Sequence, residues 1–331
     1  MIYVHVPFCR SYCTYCDFYS EIASGDTETG SYASALVAEI ESRRSEIEAT
    51  LGTNTLYIGG GTPSVLPLDV LSRIVAALPY GPFTEFTVEV NPEDIVQKGL
   101  LYARGLRELG VNRVSIGVQS LSDDVLRWMN RRHNAAGAAQ AFRILREAGF
   151  DNISVDVIFG LSQLETGTLS DTLDGILEWA PEHISAYQLS IEEGSALCRM
   201  VRQGKYSEAS DEQCRSQYEL ICERLATAGY HHYEISNWAL PGREAVHNSA
   251  YWSRQPYVGL GPGAHSLRGT DVRSWNSESI ESWESSGETL SEEEIREETI
   301  MLGLRTDKGV NGIVIPERDW FISDSIVADM I

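Results

Sequence analysis

The feature that most restricts the fold of this 331-residue chain is a repeated alternation of short β-like runs with amphipathic helical patterns. The strand candidates are Ile2–Val6, Thr55–Ile58, Phe86–Val90, Arg113–Val118, Ile153–Ile158 and Ile184–Leu189. Helical patterns lie between them near Tyr32–Glu48, Leu68–Leu78, Gly99–Leu109, Ala135–Ala148 and Leu169–Trp179, and another spans Asp211–Ala228. Such alternation predicts a parallel sheet with covering helices, because parallel neighbours are joined only through crossovers. About six βα units describe either a partial barrel or an open doubly wound sheet, and periodicity alone does not separate the two.

Beyond about Tyr233 the alternation gives way to a stretch rich in aromatics and Gly, including Trp238, Tyr251, Trp252, Tyr257 and Gly259. The Ser/Glu-rich segment Ser274–Glu294 reads as a solvated helix or linker. A last helical pattern, Glu297–Leu304, opens a small C-terminal piece. The expected division is therefore a core over residues 1–235 and an accessory, mixed α+β region over 236–331. No run of about 18 apolar residues is present, so a transmembrane helix is not expected. The first residues read as a strand rather than a basic leader with a cleavage site, which predicts a cytoplasmic protein.

The formal net charge of −22 argues against nucleic acid as a partner and against unaided attraction to anionic lipid, allowing at most peripheral membrane contact. Basic residues are nearly all Arg, with Lys only at Lys98, Lys205 and Lys308. Dense carboxylates suit a salty cytoplasm, and they equally describe a plain solvated surface. Neither reading bears on the active site.

Of six cysteines, Cys9, Cys13 and Cys16 crowd one loop after the first strand, while Cys198, Cys214 and Cys222 are scattered. Cys214 and Cys222 lie on a helical pattern and read as core. A tight cluster in a cytosolic protein points to metal rather than disulfides. Three thiolates hold three corners of a 4Fe–4S cluster and leave the fourth iron open. Zinc would need a fourth ligand, and His5, on a strand four residues before Cys9, is poorly placed to serve.

Functional groups in βα barrels gather at the C-terminal ends of strands. Here those ends carry the cysteine loop, the run Gly59-Gly60-Gly61-Thr62-Pro63, Glu89, Gln119, Asp156 and Tyr187-Gln188. A Gly-rich turn alone is often only a tight loop, and a lone carboxylate is often a cap or a salt bridge. Six such ends together favour a site.

The spacing C-x3-C-x2-C, with Tyr15 before the third cysteine, resembles the radical S-adenosylmethionine (SAM) superfamily. Within it, the chain is similar to the branch containing oxygen-independent coproporphyrinogen III oxidases and the HemW-type heme chaperones. The matching stretches are Tyr3–Cys9, Gly59–Ser64, Val88–Pro92, Val111–Leu121, Asn130-Arg131, Asp156–Leu161, Ser185–Ser195, Tyr233–Asn237 and Gly259–Ser266. The resemblance implies a partial (β/α)6 radical SAM barrel and a 4Fe–4S cluster on Cys9, Cys13 and Cys16 whose fourth iron binds SAM. It implies that Gly60, Gly61 and Thr62 receive the SAM amino group. Glu89, Gln119, Arg131 and Asp156 would hold its methionine and ribose portions, and Tyr3 would pack nearby. A guanidinium suits a carboxylate, although Arg132 beside Arg131 leaves open that one or both are merely solvated.

Three features divide the branch. The oxidases usually carry a further cysteine two residues after the third, where this chain has Phe18, and an extension before the first strand, where this chain has none. His247-Asn248-Ser249-Ala250-Tyr251-Trp252 matches the HNxxYW motif of the chaperones. The resemblance thus implies a chaperone that binds heme through His247, Asn248, Tyr251 and Trp252 and passes it to a heme-requiring acceptor such as a respiratory enzyme. Cluster and SAM would then support homodimerisation or transfer. The alternative is oxidative decarboxylation of coproporphyrinogen III to protoporphyrinogen IX, and heme degradation by a related methyltransferase ranks lower. From the residues alone, His247 and Asn248 could instead hydrogen-bond within a turn while the aromatics fill core, and His231, His232 and His265 are alternative iron ligands. The electron donor and any turnover of SAM stay open. Relatives usually continue into a fuller C-terminal subdomain than the roughly thirty residues after Arg305, so a shortened or truncated subdomain is expected.

Overall fold

A computed structural model describes residues 1–331 except Ser24 and Leu51. Six parallel strands form its centre: β1 (Ile2–Val6), β2 (Thr55–Gly60), β3 (Glu85–Val90), β4 (Arg113–Gln119), β5 (Ile153–Phe159) and β6 (His183–Gln188). They neighbour one another in sequence order. Parallel crossovers are right-handed, so a chain that always steps the same way lays every helix on one face of the sheet. That rules out the doubly wound arrangement, whose strand order reverses. The result is a partial α/β barrel with helices outside.

The side-chain pattern agrees with this geometry. Alternate strand residues point to opposite faces. The helix-facing set (Ile2, Val4, Val6, Leu56, Ile58, Phe86, Val88, Val114, Ile116, Ile153, Val155, Ile184) is apolar and buried. The opposite set, Tyr3, His5, Tyr57, Glu89, Arg113, Ser115, Asp156, His183 and Ser185, is polar and lines the concave side. Helices Asp26–Ser42, Leu68–Ala77, Pro92–Glu108, Ala135–Glu147 and Thr166–Glu178 cover the outer face. In Ala135–Glu147 the buried residues Ala138, Ala141, Phe142 and Leu145 recur at helical spacing. Asn134 caps that helix by accepting from the Gly137 amide, and Asn91 caps Pro92–Glu108 in the same way from Glu93.

Three strands of the later chain extend the sheet. β7 (His231–Glu234) and β8 (Asn237–Ala239) add antiparallel beyond β6, and β9 (Val258–Leu260) pairs parallel with β1 on the other edge. A separate antiparallel sheet contains β10 (His265–Arg268), β11 (Val272–Asn276) and β12 (Ser285–Thr289). The expectation of a helix or linker across Ser274–Glu294 is thus corrected, since much of it is sheet. Its composition hid the strands because β12 is exposed at all five residues and the buried positions of β11 are the small polar Ser274 and Asn276. The final helical pattern is longer than expected, Glu292–Gly303, and starts from a Ser291/Glu294 capping box. Among the described residues no helix is long and apolar enough to cross a membrane.

Where β9 meets β10, a Cβ on Gly259 would lie 1.9 Å from the His265 carbonyl oxygen, whereas one on Gly30, within helix Asp26–Ser42, would meet nothing within 4 Å. Gly259→Ala is therefore expected to cost about 3 kcal/mol by overpacking against backbone, lowering the thermal midpoint by about 5 °C. Gly30→Ala should raise it slightly by helix propensity. Equal midpoints for the two variants would contradict this packing.

Candidate active site

The C-terminal ends of β1–β6 open into one cavity of about 730 Å3, bordered by Cys9, Cys13, Cys16, Gly60, Gly61, Thr62, Glu89, Gln119, Arg131 and Asp156. All the residues expected to hold the cluster and SAM, Tyr3 excepted, line this space. Tyr3 sits one layer deeper, its hydroxyl 3.1 Å from His5 Nδ1 and its ring 6.2 Å from that of Tyr57.

The cysteine loop owes its shape to the barrel rim. The Thr14 amide donates to the Met129 carbonyl and its hydroxyl to Trp128, Asn130 Nδ2 donates to Tyr12, and the Leu197 amide donates back to Thr14. Cys9 Sγ lies 3.4 Å from Thr62 Oγ1. The glycine run is dictated by proximity. Gly60 has φ 108, and a Cβ on Gly61 would lie 2.7 Å from the Phe8 carbonyl oxygen, so only bare backbone passes beside the cysteine loop here.

Arg131 and Arg132 part company. Arg131 reaches into the cavity, donating from Nη2 to the Gly117 carbonyl at 2.5 Å and from Nη1 to Cys13 Sγ at 3.4 Å. Arg132 pairs with Asp94 at 2.5 Å. The reading of both as merely solvated is set aside. Burial alone would lower the Arg131 pKa, but Tyr15 and Cys13 outweigh it and hold the guanidinium charged.

Two carboxylates share the cavity floor. Glu89 accepts from Tyr57 Oη at 2.6 Å and from the Gly60 amide at 3.2 Å. Burial, followed by the nearby charge of Asp156 and against the Tyr57 hydrogen bond, pushes Glu89 up to about 7. Burial likewise raises Asp156 to about 6, opposed by its hydrogen bonds from Ser185 and Ser115. Burial raises Cys9 and takes Cys16 up to about 11. The site therefore offers ligands that a bound cation would ionise.

The residues fit an iron–sulfur cluster with SAM. Three thiols share one mouth, and among the described residues Gln119 Oε1 and Arg131 Nε are buried without hydrogen-bond partners, while a bare glycine cradle lies alongside. Sequence reasoning missed Tyr57, Ser115 and Ser185, which set the two carboxylates. Counting inward by two from Glu89 and Asp156 on neighbouring strands reaches Tyr57 and Ser115, and Ser185 lies directly opposite Asp156.

The heme-motif residues lie elsewhere. Helix Val246–Trp252 packs at the N-terminal ends of the strands, where the Val246 and His247 amides donate to the Glu85 carboxylate at 2.9 and 2.8 Å. His247 is fully buried, with Nδ1 2.9 Å from Thr55 Oγ1 and Nε2 3.1 Å from Tyr251 Oη. Burial, then the chain's N-terminal ammonium, holds it neutral with a pKa of about 3. Asn248, Tyr251 and Trp252 are half-buried. Among the alternatives, His231 pairs with Asp307, His232 with Glu317, and His265 is exposed beside Trp275.

Comparison with known proteins identifies the family. The Radical SAM superfamily profile matches residues 3–176, and the chain belongs to that superfamily. The heme chaperone HemW of Mycobacterium tuberculosis is 36% identical over 281 residues, covering 83% of this chain and 71% of that protein. HemW of Bacillus subtilis is 33% identical over 327 residues, covering 93% and 84%. Within the superfamily, the chain belongs to the HemW family. The structure of coproporphyrinogen III oxidase HemN from Escherichia coli superposes with a TM-score of 0.77 over 92% of this chain and 75% of that one. At 22% identity that likeness shows the fold alone.

Glu89 generates a pH signature in the ligand-free protein. Its native pKa of about 7 exceeds the ordinary 4.5, so the native state binds the extra proton between those values and stability falls as pH rises across them. Glu89→Gln removes that loss. In urea unfolding the variant should gain on the order of 1 kcal/mol over wild type at pH 8, after discounting for cavity water, and nothing at pH 4.5. A difference that does not change with pH would contradict the assignment.

Proposed function

We propose that this protein is a heme chaperone that carries a SAM-binding 4Fe–4S cluster and passes heme to a heme-requiring acceptor in the cytoplasm or at the membrane surface. The observation that carries the reading is the 36% identity to HemW across 83% of the chain. Phe18, at the position where the oxidases carry their further cysteine, supports it. It is 68% exposed at the cavity mouth.

In this reading Cys9, Cys13 and Cys16 hold three irons, and the fourth takes SAM. When bound, the cluster supplies one-electron chemistry to SAM. The chain's own residues do the positioning. Arg131 sets a fixed positive charge beside Cys13 and suits the SAM carboxylate. Gly60, Gly61 and Thr62 offer close backbone and a hydroxyl to its amino group. Glu89 and Asp156 accept from ribose hydroxyls once ionised, and Gln119 turns its unpartnered oxygen to the same space. Tyr3 supports this wall from behind through Tyr57.

Heme is assigned to the Val246–Trp252 helix, with His247 as iron ligand and Asn248, Tyr251 and Trp252 around the macrocycle. Neutral imidazole is the form that ligates iron. Use of His247 requires release from Thr55 and Tyr251, so heme entry is coupled to a shift of this helix off the strand ends. The core over 1–235 then holds cluster and SAM, and 236–331 holds the cargo.

The test is an anaerobic heme titration of the cluster-reconstituted protein, followed at the Soret band. Wild type should retain about one heme per chain, without SAM consumption. His247→Ala should weaken binding by at least about tenfold, the scale of losing a metal-site contact, while still binding SAM. Because Thr55 is left unpaired, the variant should also lose about 1–3 kcal/mol of stability. Absence of heme binding by wild type, or SAM-dependent loss of coproporphyrinogen III, would overturn the chaperone reading.

A further inference from the structure

Away from the strand-end cavity, three ligand-bearing side chains from three separate elements converge on one point. They are Cys222 on helix Asp211–Thr227, His232 on β7 and Glu317 at the start of the 3-10 helix Glu317–Ile322. One ligand atom of each lies within 4.8 Å of the other two. His232 Nδ1 stands 2.8 Å from Glu317 Oε1. The Cys222 sulfur is a free thiol.

We propose that Cys222, His232 and Glu317 bind a zinc-class divalent cation, with the fourth position open to solvent, and that the ion fastens the C-terminal segment to the outer edge of the sheet.

The donor set is a thiolate, an imidazole and a carboxylate, which suits zinc and disfavours the all-oxygen cations calcium and magnesium. The spacing is close to what a tetrahedral ion needs. Bonds of about 2.0–2.3 Å place neighbouring ligand atoms about 3.3–3.6 Å apart. Reaching this takes a slight opening of the His232–Glu317 pair and a closing of Cys222 by an ångström or so. The movable partner is in the right place, since the Glu317 side chain is 55% exposed while that of His232 is 4% exposed. His232 is held in plane by Trp238, stacked at 4.0 Å and 13°, and by the edge of Trp320 at 4.4 Å. A buried, oriented imidazole beside a mobile carboxylate is the arrangement of a site that closes on an ion. On metal entry the Cys222 thiol proton leaves to solvent and the sulfur binds as thiolate.

The alternative is an ordinary His–Glu pair beside an unrelated thiol. Such a pair with an exposed carboxylate contributes about 0–1 kcal/mol, and the thiol would then be a bystander packed on the core beside Tyr218. An ion here would instead tie residues 222, 232 and 317 together, three points separated along the chain and joined at the edge where β7 and β8 end the sheet.

The experiment uses the full chain with its cluster reconstituted, dialysed against micromolar zinc sulfate, with metals counted by plasma mass spectrometry. About one zinc per chain is expected beyond the cluster iron. Glu317→Gln, at an exposed position that should fold normally, and Cys222→Ser should each weaken zinc retention by at least about tenfold, with unchanged far-ultraviolet circular dichroism. To separate this site from an unfilled cluster loop, the full chain carrying Cys9→Ala, Cys13→Ala and Cys16→Ala is titrated with cobalt(II). A thiolate-to-cobalt charge-transfer band should appear and should vanish when Cys222→Ser is added. Zinc that survives Cys222→Ser, or a cobalt thiolate band that vanishes with the three loop cysteines, would overturn the proposal, as would a wild type that retains no zinc.

Discussion

Everything in this structure follows from strands that step in one direction. Because β1 to β6 neighbour one another in chain order, every crossover places its helix on the same face. That face must be apolar on each strand, and it is, from Ile2 and Val4 through Val155 and Ile184. The other face is freed from the demand to pack against helices. It carries Tyr57, Glu89, Arg113, Ser115, Asp156, His183 and Ser185, residues that a sheet covered on both sides would have to exclude or pair off completely. A polar concave wall is thus a consequence of topology, and the cysteine loop after β1 only has to arch over its rim. The contacts that hold the arch, from Thr14 to Met129 and from Arg131 to Cys13, join the first strand's loop to the fourth strand's.

The same division explains what could be read from the residues. Outer faces announce themselves as short apolar runs, so all six core strands were legible within two residues, while two of the helices begin well before their patterns, at Asp26 and Pro92. Strand-end residues were legible too, because Glu89, Gln119 and Asp156 fall where a barrel rule looks. Their supports were not. Tyr57 and Ser115 lie mid-strand, and only the paired register puts Tyr57 Oη 2.6 Å from Glu89 and the Ser115 hydroxyl 3.1 Å from Asp156. Arg131 was visible as a charge, but its separation from Arg132 depended on Asp94 reaching across from another helix.

The later chain was harder for a different reason. β11 and β12 pair through backbone on a mostly solvated sheet, so no apolar alternation marks them. β9 shows the opposite difficulty: Val258, Gly259 and Leu260 are buried on the edge of the parallel sheet, yet they come from a region marked in the sequence only by its aromatics and Gly. Composition reports how a segment meets water. It does not report which distant edge it will join, and the reading of Ser274–Glu294 failed there.

The two ends of the barrel are physically continuous, which bears on how the heme motif is understood. The His247 ring lies 5.2 Å from that of Tyr57, and the Tyr57 hydroxyl donates to Glu89 on the wall of the strand-end cavity. One file of contacts therefore runs from Tyr251 through His247 and Tyr57 to the Glu89 carboxylate in the strand-end cavity. Moving the Val246–Trp252 helix to free His247 would withdraw packing from Tyr57 and so disturb the hydrogen bond that opposes the rise of the Glu89 pKa. Under the proposed assignment, heme at one end and SAM at the other are linked through one buried tyrosine. The converse follows from reciprocity of binding free energies: if heme entry loosens Glu89, occupancy by SAM must in turn resist release of His247.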